Sequence, residues 1–159
     1  MRLEFPFNMI LLVYITIVPT LTACTGTKDW KTISTEAPAY ALSCAESICK
    51  SWQVEDLRKE ASPELVKLLD SDPKTTKKVL ALCSRKLGKL DSCENPELRL
   101  DGVPDIIQLD GEHVYITVII KGKFERDKGT ITEKLNRHNK EWKLDNFHVD
   151  SSAFLSDIK

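Results

Sequence analysis

After Gly88 the spacing of apolar residues changes from helical to alternating. That switch limits the chain to helices first and a sheet last. Upstream, residues 74–87 carry Val79, Leu80, Cys83 and Leu87 on one helical face, opened by Pro73 after Asp72 and stopped by Gly88. Residues 36–51 read as a helix capped by Ser34 or Thr35, with Tyr40, Cys44, Ile48 and Trp52 along one side. Residues 54–61 and 63–69 are shorter helical pieces, the second with Ser62 as cap and Pro63 in its first turn. Downstream, Val114, Ile116, Val118 and Ile120 share one face of a strand. Residues 130–137 alternate through Ile131, Glu133 and Leu135, and Trp142, Leu144, Phe147 and Val149 form a last strand with a bulge between Leu144 and Phe147. Lys128-Gly129 and His138-Asn139-Lys140 read as the turns of this meander. Residues 90–94 and 98–100 are candidate additional strands. The expected class is α+β, with N-terminal helices packed on a C-terminal antiparallel sheet.

The other strong signal is N-terminal. No charge occurs between Glu4 and Lys28, and the apolar heart from Met9 to Val18 ends at Pro19. That run suits a signal-peptide core of roughly 7–15 residues and falls short of the roughly 20 that span a bilayer. A transmembrane anchor over residues 5–27 is the competing reading, diluted by Pro19, Gly26 and several threonines. The tetrad Leu21-Thr22-Ala23-Cys24 resembles the lipobox of bacterial lipoproteins. The resemblance implies a signal peptide over residues 1–23, cleavage before Cys24, and diacylglycerol (palmitate-type acyl chains) on the Cys24 thiol. Several acyl chains, at about 0.8 kcal/mol per buried CH₂, anchor a protein durably. Thr25 stands where an inner-membrane retention signal would place Asp, so the resemblance implies an outer-membrane protein facing the periplasm. Residues 24–35 are polar and expected to be a flexible tether, and residues 36–159 a single domain.

In an exported chain the remaining cysteines, Cys44, Cys49, Cys83 and Cys93, are disulfide candidates. On one helix, Cys44 and Cys49 exceed the roughly 7 Å Cα limit for a mutual bond and would pair with Cys83 and Cys93. In a loop, the local pairs Cys44–Cys49 and Cys83–Cys93 are simpler. The spacings lack the close pairs of a zinc site, and there is no C-x-x-C redox motif.

The charge balance excludes one broad class of partner: a net charge of −1 with 30% charged residues lacks the cationic excess that nucleic acid demands. Basic residues do gather locally, at Lys121, Lys123, Arg126, Lys128, Lys134, Arg137, Lys140 and Lys143, against Glu125, Asp127, Glu133 and Glu141. Such a sheet edge can meet anionic headgroups, or it can serve as solvated lysines that discourage edge pairing.

The run Glu60-Ala61-Ser62-Pro63-Glu64-Leu65, the run Arg85-Lys86-Leu87-Gly88-Lys89-Leu90 and the closing run from Glu141 to Val149 resemble the cystatin-like or NTF2-like superfamily, in particular its small lipoproteins of unassigned role. The resemblance implies a curved sheet wrapped on a helix into a cone with a pocket. Fold alone does not choose a function for that pocket. Acid–base chemistry would need an ionisable group pointing into it. His113, His148, Asp145 and Asp150 are the candidates, with His138 in a turn, and alternation places His148 opposite Phe147 and Val149, toward solvent. No nucleophile elbow, phosphate loop, metal motif or other cofactor signature is present. The expectation is a non-catalytic envelope lipoprotein that binds a protein partner or small ligand. The alternatives are an immunity or inhibitor lipoprotein using a loop around residues 101–110, and an NTF2-like enzyme with two convergent ionisable groups.

Overall fold

Four helices precede five strands in the computed structural model, which describes residues 26–99 and 113–157. The helices are α1 Gly26–Ser51, α2 Val54–Glu60, α3 Pro63–Ser71 and α4 Pro73–Leu87. The strands are β1 Leu90–Cys93, β2 Glu97–Arg99, β3 His113–Phe124, β4 Lys128–His138 and β5 Glu141–Asp150, and a 3₁₀ turn Ser152–Asp157 follows. This is the α+β order expected from the change of period. Among the described residues no helix is long and apolar enough to cross a membrane. Cys24 and the segment 101–110 lie outside the described residues.

All pairings within the sheet are antiparallel, in the order β1-β3-β4-β5, with β2 also on β3. Strands β1 and β2 thus share one edge of β3, broken at Asn95-Pro96, where proline has no N–H to give a ladder. Ile116, Val118 and Ile120 of β3, Ile131 and Leu135 of β4, and Trp142 and Leu144 of β5 are buried on the face that the helices cover. Against them α1 lays Ile33, Ala37, Ala41, Cys44, Ala45, Ile48 and Cys49, so small side chains bring the helix close to the sheet.

Several boundaries differ from expectation for physical reasons. Helix α1 starts by Gly26, so residues 26–35, expected to be a tether, are helical from there. The hydroxyls of Ser34 and Thr35 do not cap; they donate back to the Lys31 carbonyl, at 3.1 and 3.0 Å. The β3–β4 turn lies before Lys128-Gly129, because both residues pair in the ladder with Lys123 and Gly122. Gly129 is required there by close approach: a Cβ would stand 2.9 Å from the Asp150 carbonyl oxygen. The other turn is as expected, with Asn139 and Lys140 both at positive φ (50° and 68°), the pair of angles that matches strand twist in a two-residue hairpin. The bulge also appears, as a register shift between Lys134 and Leu135 that leaves Asp145 unpaired opposite them.

Two polar caps fix the middle helices. The Ser62 Oγ accepts from the Leu65 N–H at 3.2 Å, and the Asp72 carboxylate from the Thr75 N–H at 3.1 Å. The Ser62 N–H donates to the Leu144 carbonyl at 2.8 Å, which ties the α2–α3 link to β5. Trp52, just after α1, has φ +53°, donates from its indole to the Gly88 carbonyl at 2.7 Å and stacks on Phe124.

Candidate functional site

The helices α2, α3 and α4 stand off the far end of β5 and leave an apolar pocket of about 410 Å³. Its walls are built from Trp52, Leu57, Leu65, Leu69, Val79, Leu80, Cys83, Phe147, Val149 and Phe154, with Thr75, Thr76 and His148 supplying the polar atoms. The origin of the gap is local. Pro63 and Pro73 each open a new helix in its first turn, so α3 and α4 are separate segments that both line the gap. Val79 is 51% exposed although it faces this apolar surface, so the pocket opens to solvent beside it. An enclosure of this size and lining matches the general character of small-molecule sites: mostly apolar, with a few polar groups.

His148, a candidate from sequence, reaches this pocket, and its Nε2 lies 2.9 Å from Asp150 Oδ1. The two therefore come together, as an exposed pair flanking Val149. Asp145 and His138 do not line this pocket. Asp145 is the bulge residue, with Oδ1 buried and without a hydrogen-bond partner. His138 pairs in register with His113 at the opposite end of the β3–β4 ladder and lines a separate groove with Ser62, Asn136 and Lys143.

A second arrangement lies under α1. Glu133 is fully buried, between Val118 and Phe147 across the strands, and neither carboxyl oxygen has a hydrogen-bond partner. Burial in this apolar setting, with a smaller contribution from Glu60, pushes its pKa up to about 9. Glu133 is therefore a neutral acid at pH 7. Glu60 accepts a hydrogen bond from the Tyr40 hydroxyl at 3.1 Å, and the Cys44 thiol is 4.0 Å away. Burial raises both the Tyr40 hydroxyl and the Cys44 thiol well above their ordinary values. Two ionisable carboxyls thus converge, but neither belongs to the wall of the apolar pocket. Sequence alternation already placed Glu133 on the face of Ile131 and Leu135; its convergence with Glu60 depends on how α2 lies over the sheet.

The cysteines and the basic run are distributed as follows. Cys44 and Cys49 share α1, which excludes a bond between them, and all four described thiols are free. Among the described residues no three His, Cys, Asp or Glu side chains gather as metal ligands. The basic residues do not form one patch. Arg137 pairs with Glu36 at 2.9 Å and stacks over Trp142, Arg126 donates to the Ser84 and Arg85 carbonyls, and Lys121, Lys123 and Lys128 border an open groove with Glu94 and Asp150. The chain matches no protein-family model, no curated protein and no solved structure.

Proposed function

We propose that this chain is a lipid-anchored protein of the bacterial envelope whose α+β domain binds a small apolar or amphiphilic ligand without transforming it. The pocket of about 410 Å³ between α2, α3, α4 and β5 is the observation that carries this reading. Its apolar wall offers the desolvation that drives such binding, while Thr75, Thr76 and His148 are the groups that can orient a polar end. The lipobox-like tetrad Leu21-Thr22-Ala23-Cys24 supports the anchor and, with it, an outer-membrane site facing the periplasm. The NTF2-like superfamily that the sequence resembles encloses a pocket that many members use for binding and some for catalysis, so the resemblance is compatible with this reading without selecting it. A binding role without catalysis accords with the placement of the ionisable groups. His148 and Asp150 are exposed to water, and neither the half-buried Glu60 nor the buried Glu133 belongs to the pocket wall.

Trp52 in the pocket wall supplies the assay. A brominated fatty acid entering the pocket brings bromine against the indole and quenches its fluorescence. Saturable quenching is expected in the full chain. In Val79→Glu, which puts a charge at the exposed rim without disturbing the core, affinity should fall at least about tenfold. Quenching that never saturates, or that is equal in the variant, contradicts the reading.

A further inference from the structure

We infer that this domain forms one disulfide, between Cys49 of α1 and Cys93 of β1, and that Cys44 and Cys83 remain thiols. The inference takes only its oxidising compartment from the envelope reading above; the pairing stands on geometry. Cys44 and Cys49 are separated by roughly 7.5 Å along the axis of α1 and point to different sides of it. The Cys44 sulfur lies 4.0 Å from Glu60 Oε2, and the groups that act on it are Glu133, Tyr40, Glu60 and Lys143. Around Cys49 they are Glu133, Cys93 and Cys83. Cys49 is thus the thiol with sulfur neighbours, and the choice lies between two.

Cys93 is favoured by where its strand lies. Its own charged neighbours include Glu46 and Lys50, which stand three residues before and one residue after Cys49 in α1. Strand β1 packs on α1, so Cys93 sits over the last turns of that helix. Cys83 instead belongs to α4, which packs on α2, α3 and the 3₁₀ turn, and its side chain lines the apolar pocket.

Access fixes the order of events. Cys49 is fully buried, whereas Cys93 is partly exposed and lines the open groove that also holds Ser92, Gly122 and Ser151. The Cys93 thiolate attacks one sulfur of an incoming disulfide, such as a protein disulfide oxidant or oxidised glutathione, and expels the first thiolate. The resulting mixed disulfide is opened by the Cys49 sulfur, which loses its proton to water and expels the second thiol from Cys93. Two electrons pass to the oxidant, which leaves as two thiols. The finished bond ties the end of α1 to the first strand, beside the buried Glu133 that both thiols adjoin.

The test uses the full chain, purified reduced, exposed to oxidised glutathione, alkylated and digested without reductant for mass spectrometry. A Cys49–Cys93 peptide is expected, with Cys44 and Cys83 alkylated. Oxidation should raise the melting temperature by about 10 °C, and Cys93→Ser should abolish that rise while Cys83→Ser keeps it. A Cys49–Cys83 peptide, any bond to Cys44, or four alkylated thiols overturns the inference. Mapping the chain taken from its own envelope separates the two readings. Acylated Cys24 with Cys49 and Cys93 still free overturns the disulfide. An unacylated chain defeats the anchor and leaves the glutathione result to decide the pairing.

Discussion

Replacing Glu133 by Gln should remove a pH dependence of stability that the wild-type chain carries. A carboxyl whose pKa rises from 4.5 when unfolded to about 9 when folded is protonated in the native state throughout that window and ionised in the unfolded one. Folding then takes up a proton, so stability is highest below about pH 4.5 and falls by about 1.4 kcal/mol for each pH unit as pH rises toward 9. By pH 7 the accumulated loss is about 3 kcal/mol, of the order of a third of a typical domain's total stability. Glutamine is neutral at every pH and nearly the same shape, and like the protonated acid it leaves its polar atoms without partners. The two proteins should therefore be about equally stable near pH 4.5, with the variant ahead by about 3 kcal/mol at pH 7. Urea unfolding followed by tryptophan fluorescence at pH 5, 7 and 8.5, both proteins reduced, reads the difference, and all other titrating groups cancel in it. Parallel stability curves, with a constant gap across pH, would refute the assignment of Glu133 as a buried neutral acid.

Three further substitutions check the packing that positions the pocket, each by chemical denaturation. Ser62→Ala removes the cap on α3 from a residue only 1% exposed and should cost about 1 kcal/mol. Leu144→Ala opens a cavity beneath the α2–α3 link at a fully buried site and should cost about 2–5 kcal/mol. Gly88→Ala forces a side chain to φ +75° at the end of α4 and should cost about 1–3 kcal/mol, with the indole bond from Trp52 weakened as the carbonyl shifts.

What could be read in the sequence was whatever depends on local chemistry. Helix α4 is bounded by Asp72-Pro73 and Gly88, and the β4–β5 hairpin by Asn139-Lys140, because caps and left-handed turns are properties of a few adjacent residues. The bulge at Asp145 was legible because it interrupts a strict alternation. The misplaced turn at Lys128-Gly129 has the opposite origin. Gly129 serves the approach of Asp150 from the neighbouring strand, a contact distant in sequence. Likewise, Ser34 and Thr35 have cap chemistry but lie inside α1, where burial of Ile33 and Ala37 against the core extends the helix past them. The pocket was not legible at all. Its wall draws on Trp52, three helices, β5 and the 3₁₀ turn, and apolar residues at helical spacing look the same whether they fill a core or line a cavity. Glu133 was intermediate: its face was evident, but its isolation from any partner depends on Val118, Phe147 and α1 closing over it.

The proposed lipid on Cys24 would hold this domain to a membrane and so set its compartment, its oxidant and its ligands. The intact mass of the protein extracted by detergent from its own envelope tests this most directly. The account predicts a chain that begins at Cys24 and carries the added mass of diacylglycerol. A chain that keeps residues 1–23 and bears no lipid would contradict it.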